Sequence, residues 1–300
     1  MPLVSVIIPN YNHARFLKER IDSIINQTFS DFELILLDDA STDDSKTILE
    51  SYRDNSKLAK LIINSQNSGN TFRQWDLGIK TAQGEYILLA ESDDVAHPQL
   101  LEKLVEKFRE DPQLVLAYTQ SNRMNAEGEL TGSWLTHTKD LEFSEKWEND
   151  YINDGLSEIK SSLIFKNTIP NASAVLFKKE AYFQCGGVDL EVLKCGDWFL
   201  WIKLLLTGKI AFIATPLNNF RYHSGSVIAT SAMIRDYYDT IMRAKLNDHF
   251  RQIGVDKSII DLNNKFLRSD LSSLAKWYFR KGKFWQSLST TLRLLRFLTH

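Results

Sequence analysis

Two hydrophobic periods alternate along the first 110 residues. Leu3 to Ile8 is a short run of apolar, mostly β-branched residues closed by Pro9 and Asn10, the pattern of a strand buried on both faces. From His13 to Gln27 the apolar positions recur at helical spacing, with Phe16, Leu17, Ile21, Ile24 and Ile25 on one side. A second strand, Phe32 to Leu37, ends in Asp38-Asp39. Ser41 or Thr42 then offers a cap for the next helix, and Asp43 and Asp44 suit its positive end. A third strand is expected at Leu61 to Asn64, a helix around Arg73 to Ala82, and a fourth strand at Tyr86 to Ala90. Alternating strands and helices with short connections predict parallel pairing in a three-layer α/β sandwich.

After residue 100 the periods mix. Pro98 to Glu110 reads as an amphipathic helix, Leu114 to Thr119 as a strand and Asn125 to Gly128 as a turn. Residues 133–170 are polar and rich in aromatics, without a clean period. Ala174 to Phe177 and Ile210 to Ala214 read as strands, with a helix at Trp198 to Leu206 between them. From about residue 227 the pattern is helical throughout. No repeat or low-complexity linker separates that tail, so it is expected to pack on the body. The chain divides into 1–110, 111–226 and a helical extension, 227–300.

Composition narrows the function classes. The 300 residues are 43% hydrophobic and 25% charged with six prolines, which excludes collagen-like, low-complexity and disulfide-scaffold chains. A net charge of -2, from 36 basic and 38 acidic side chains, lacks the basic balance of a nucleic-acid binder. The N-terminus has neither the charged region nor the apolar core of a signal peptide, and no apolar run is long enough for a membrane span. Cys185 and Cys195 could form one bridge that nothing demands, so a reducing, cytoplasmic setting is the simpler reading. The charge is unevenly spread. Lys265 to His300 carries a net +7 and the remainder -9, and the basic segment holds Trp277, Tyr278, Phe279, Phe284 and Trp285. That composition suits a peripheral helix on the inner face of the plasma membrane. A helix packed on the body with a solvated basic face would have the same composition.

In open α/β sheets, ligands bind outside the carboxyl ends of the strands. Those ends here read Pro9-Asn-Tyr11-Asn12, Asp38-Asp39-Ala-Ser41 and Glu91-Ser-Asp93-Asp94. Each cluster alone could be strand-ending and capping chemistry; three in succession point to a site. Neither G-x-G-x-x-G nor the phosphate-loop pattern occurs. In Glu91-Ser-Asp93-Asp94 an extended backbone would put Glu91 and Asp93 on one side, a pair suited to Mg²⁺ or Mn²⁺ and a substrate diphosphate. Arg221 and His223 would point together in a strand and could meet that diphosphate and metal. Asp197 stands where a helix N-cap would be, and is also a candidate general base. Lys194, Cys195 and His13 receive no role, and the six histidines lack zinc-ligand spacing.

Several spaced motifs in order give the chain a resemblance. Val4 to Asn12, Gln27-Thr-Phe, Asp31 to Asp43, Gly84-Glu-Tyr-Ile87 and Glu91 to Asp94 resemble a family 2 glycosyltransferase of the GT-A fold. The likeness is dense over residues 3–110 and returns at Asn171-Ala-Ser-Ala, Gly196-Asp-Trp198 and Phe220-Arg-Tyr-His223. It implies a Rossmann-like, mostly parallel sheet flanked by helices, and a nucleoside-diphosphate sugar donor. It also implies that Pro9, Tyr11, Asn12 and Asp39 hold base and ribose, and that Glu91-Ser-Asp93 is the D-x-D metal motif with Glu in first place. Asp93 is then the main metal ligand, with Asp94 and His223 beside it, and Arg73 and Arg221 contact the diphosphate. Asp197 matches the catalytic base of an inverting transfer to a glycan or lipid-linked acceptor. The family often has Glu-Asp where this chain has Gly196-Asp197, which removes a helper carboxylate but not the base. A nucleotidyltransferase acting on sugar phosphates, a receiver-like signalling module and a donor-binding protein without turnover remain alternatives.

Overall fold

The computed structural model describes residues 1–223 and 232–298. The boundary expected near residue 227 lies outside the described residues. Among the described residues ten strands form one sheet: β1 (Val4–Asn10), β2 (Phe32–Asp38), β3 (Leu58–Ile63), β4 (Tyr86–Leu89), β5 (Val95–Ala96), β6 (Leu114–Met124), β7 (Leu130–Ser133), β8 (Tyr151–Asp154), β9 (Val175–Lys178) and β10 (Lys209–Arg221). The helices are α1 (Ala14–Ile25), α2 (Ser45–Glu50), α3 (Thr71–Thr81), α4 (Leu100–Glu110), α5 (Gly155–Glu158), α6 (Lys179–Gln184), α7 (Gly196–Leu205), α8 (Ala232–Ile253), α9 (Lys257–Arg280) and α10 (Phe284–Leu298).

The sheet runs β3-β2-β1-β4-β9-β6-β10-β5, with β7 added to β6 and β8 to β10. Its first four strands are parallel, as the alternation of periods requires. Beyond β4 it is mixed: β9 runs antiparallel to both neighbours, while β6 and β10 are parallel to each other. Antiparallel β9 lies between β4 and β6, so β6 runs in the same direction as β1, β2 and β4.

Buried alternation sorts the strand residues. Val4, Val6 and Ile8 pack with Leu34 and Leu36 against Leu17 and Ile21 of α1 and Leu101 and Leu104 of α4. Ile7, Ile35 and Leu37 face the other way, onto Phe72, Trp75 and Ile79 of α3 and the apolar face of α7. Each such side chain contributes about 1.5–3 kcal/mol on burial. Gly84 permits a close approach to β1, since a Cβ there would lie 2.6 Å from the Ser5 backbone nitrogen. The tail packs on the body as expected: Arg243 of α8 donates to the carbonyls of Ile164 and Phe165 and to Asp270 of α9.

Three local expectations are corrected. α2 starts at Ser45 without a side-chain cap, because Ser41 is used by Asp38 and Thr42 by Asn12. The N-cap of α7 is Cys195, and Asp197 lies inside its first turn. Residues 91–94 form a turn after β4, with Asp94 N bonded to the Glu91 carbonyl, so strand alternation does not govern their side chains.

Candidate active site

The loops after β1 and β2 are locked to each other. Asn10 Nδ2 donates to Asp38 Oδ1 at 2.8 Å, Ser41 Oγ to the same oxygen at 2.6 Å, and Asn12 Oδ1 accepts from Thr42 N at 2.8 Å. Asn12 and Ala40 hold left-handed backbone, φ 56° and 61°, as does Cys195 at 60° before α7. Non-glycine residues in that region store local strain, which concentrates where a site is held in one geometry. Asp39 is buried, its carboxylate accepting from Asn64 Nδ2, Ser68 N and Oγ, and Gln74 Nε2 at 2.7–3.0 Å. Pro9 is buried beneath this loop, whereas Tyr11 and Asn12 are exposed at its rim.

The acidic turn meets two histidines. His223 Nε2 lies 3.0 Å from Asp93 Oδ2, and His13 Nδ1 lies 2.8 Å from Ser92 Oγ. One ring nitrogen of each histidine and a carboxylate oxygen of Asp93 fall within 4.8 Å of one another, a nitrogen and oxygen donor set that fits a divalent transition metal. Burial lowers the His13 pKa, against the pull of Asp93. At Asp93 burial acts upward, but the His223 hydrogen bond and both histidine charges outweigh it and the carboxyl is lowered. Glu91 accepts from Trp75 Nε1 at 2.7 Å, and burial together with the Asp93 charge pushes it up to about 8. Asp94 is buried behind the turn and pushed up to about 7 by the same two causes; one oxygen takes the Arg221 backbone N–H.

Asp197 receives a 2.9 Å hydrogen bond from Asn167 Nδ2. Burial raises its pKa above the ordinary carboxylate value. The opening of α3 connects it to the other clusters. Phe72 lies against Gly196, where a Cβ would come within 2.6 Å of its ring, Gln74 holds Asp39, and Trp75 holds Glu91. One helical turn, started by the Asn70 cap on Phe72 N, thus ties together all three candidate groups.

The profile of the family described as "Glycosyl transferase family 2" matches residues 5–165. An uncharacterized glycosyltransferase of Nostoc sp. is 36% identical over 300 residues, covering 93% of this chain and 85% of that protein. This chain belongs to glycosyl transferase family 2. It is an enzyme that transfers glycosyl groups, and its fold agrees with the GT-A expectation. TarS residues 1–349 of S. aureus in complex with UDP is similar, with TM-score 0.64, 18% identity, and coverage of 90% of this chain and 70% of that one. The mannosyltransferase PcManGT from Pyrobaculum calidifontis in complex with GDP-Man and Mn²⁺ gives TM-score 0.57 and 19% identity, covering 98% and 80%.

Not every expected residue of this glycosyltransferase reaches the cleft. Arg221 is 2% exposed, and its guanidinium is spent on Glu19, the Asp93 carbonyl and the carbonyls of Asn125 and Ala126. With these partners it braces the acidic turn from within the protein. Arg73 is exposed on the first turn of α3. His13, given no role from sequence, joins the Asp93 cluster. Arg20 was also missed: it is fully buried, makes no side-chain hydrogen bond among the described residues, and sets its charge toward Asp94, then Asp93 and Glu91. Its signal was a basic residue on the apolar side of α1, between Phe16 and Ile24. Cys185 and Cys195 are not joined by a disulfide.

Proposed function

We propose that this family 2 glycosyltransferase moves a sugar, with inversion, from a nucleoside-diphosphate sugar to a hydroxyl of a glycan or lipid-linked acceptor. The observation that carries the reading is the first turn of α3, which touches Asp39, Glu91 and the start of α7 beside Asp197. Base recognition, diphosphate handling and proton removal must share one cleft in a direct displacement.

In this reading Pro9, Tyr11, Asn12 and Asp39 hold base and ribose, and Arg73 approaches the diphosphate from the positive end of α3. Asp93, His13 and His223 would hold Mn²⁺ or Mg²⁺, with Glu91 adding its charge, and two ring nitrogens favour Mn²⁺. The bound ion would supply neutralisation of the departing diphosphate. Asp197 takes the acceptor hydroxyl proton as that oxygen bonds to the anomeric carbon, and the bond from that carbon to the diphosphate oxygen breaks with its electron pair leaving on the nucleotide. One base suffices for one displacement, which agrees with Gly196 in place of a second acid. The solved relatives bound to UDP and to GDP-Man with Mn²⁺ support this class of donor.

A thermal-shift panel of nucleoside diphosphates and their sugars, with and without Mn²⁺, tests the donor. A ligand at 100 times its Kd stabilises the fold by about 2.7 kcal/mol. Stabilisation by one nucleotide series, followed by release of that nucleoside diphosphate in the presence of acceptor, is expected. Pyrophosphate release would instead favour the nucleotidyltransferase reading.

A further inference from the structure

Over residues 284–292, whose side chains are described, α10 is packed the wrong way round for a solvated helix. Among the described residues its side toward α9 is polar: Thr290 is buried and Ser287 Oγ donates to the Ala275 carbonyl of α9 at 2.9 Å. Its apolar side faces out. Phe284, Trp285, Leu288 and Leu292 span an arc of roughly 100° at helical spacing and are 61%, 81%, 49% and 51% exposed. Phe279, at the end of α9, is 62% exposed and its ring meets that of Phe284 edge-on at 5.5 Å. A contiguous exposed apolar face of this size marks an interaction surface.

The charges beside it select the occupant. Between residues 271 and 300 there is no acidic residue, while Lys276, Arg280, Lys281, Lys283, Arg293 and Arg296 are basic. The first four are exposed at the α9–α10 corner, next to the aromatic face; the side chains of Arg293 and Arg296 lie outside the described residues. A second copy docked through the same face would bring two such basic segments together. An anionic surface relieves that charge, and aromatic rings beside basic side chains suit the boundary between headgroups and acyl chains. No described helix is long and apolar enough to cross a membrane, so the contact would be in-plane.

We propose that the α9–α10 corner lies on the surface of an anionic lipid bilayer, with Phe279, Phe284, Trp285 and Leu288 in the interface and the four lysine and arginine side chains on the headgroups.

The test uses the full chain and needs no donor or acceptor, so it stands or falls apart from the transfer reaction. Vesicles of phosphatidylcholine alone and with phosphatidylglycerol are sedimented with the wild type, an F284S/W285S/L288S variant and a K276E/R280E/K281E variant. Wild type should bind the anionic vesicles at least about tenfold more tightly than the neutral ones. Each variant should lose that binding while keeping the wild-type circular dichroism and unfolding midpoint. Binding by the serine variant equal to wild type, or no preference for anionic lipid, overturns the proposal. So does a wild-type dimer that the serine variant converts to a monomer, which would make the face a subunit interface.

Discussion

The Asn167 side-chain amide donates to Oδ2 of Asp197 at 2.9 Å, so a residue from the 133–170 segment orients the carboxyl of α7 that is proposed as the base. Asp197 should therefore fail chemically when its acidity is removed, and Asn167 should act through it. Asp197→Asn is expected to lower kcat by about 10²–10⁴-fold while donor affinity, read by calorimetry, stays within about twofold. Asn167→Ala should lower kcat by about 10- to 100-fold, since a hydrogen bond to a charged group is worth about 1.5–3 kcal/mol, with KM for donor unchanged. Wild-type turnover in the Asp197→Asn variant would remove the base.

The base must be ionised to accept a proton. Burial raises the Asp197 pKa, so activity should be lost as pH falls through a value above the ordinary 3.8 of an aspartate. A kcat against pH profile under saturating donor checks this. An acidic limb that persists unchanged in Asn167→Ala would argue that Asp197 is not the group being read, because losing that donor should raise its pKa further.

His13 and His223 should both matter to metal binding. If Asp93, His13 and His223 hold the ion as proposed, removing one of them is expected to weaken Mn²⁺ binding by at least about tenfold, as even outer partners of a metal site cost 10–100-fold. His13→Ala and Asp93→Ala should show it in a direct Mn²⁺ titration without donor. A titration of His13→Ala identical to wild type would leave Asp93 and His223 as the protein ligands and return His13 to holding the Ser92 turn.

The parallel half of the sheet was legible because its strands are short apolar runs and its helices have clear period. Asp39, Glu91 and Asp93 could be singled out as candidates because they stand at strand ends, where open α/β sheets collect ligands. His13 was not: its partner Ser92 lies 79 positions away along the chain, and His223 reaches the same cluster through Asp93 across a further 130. Arg221 could be read as a ligand because its neighbours are polar, but only the folded contacts show Glu19 and three carbonyls taking its donors. The antiparallel entry of β9 has no local signature, since Val175 to Lys178 reads the same in either direction. The tail's mixed basic and aromatic composition was visible, but which side of α10 faces solvent depends on its packing against α9.

Two carboxyls with raised pKa make the metal-free fold less stable as pH rises from acidic to slightly alkaline. Glu91 and Asp94 stand at about 8 and about 7, against ordinary values of 4.5 and 3.8. A group raised in the folded state favours folding in its protonated form, so its contribution is complete below the ordinary value and is lost as pH rises through the folded one. Stability of the metal-free chain should therefore decline between about pH 5 and 8, by on the order of a few kcal/mol. Mn²⁺ should offset the loss more at pH 8 than at pH 6. Denaturant midpoints at the two pH values with EDTA or Mn²⁺ measure both effects, and a pH-independent midpoint in EDTA would contradict the raised pKa values.

Arg221 offers the sharpest separation between bracing and ligand binding. Its guanidinium is buried on Glu19 and three carbonyls, and its backbone N–H holds Asp94. Arg221→Met keeps the volume and the backbone bond but leaves the Asp93 carbonyl without its 2.7 Å donor. The loss should be about 2–4 kcal/mol, because stripping a buried charge from its partners exposes them to an apolar side chain. Roughly 5–10 °C should be lost from Tm. Donor affinity, measured well below the new Tm with Mn²⁺ present, should fall far less than it does for Arg73→Ala on the exposed turn of α3. If Arg221→Met instead keeps its Tm and loses donor binding, the guanidinium turns toward the diphosphate on binding and the bracing role is wrong.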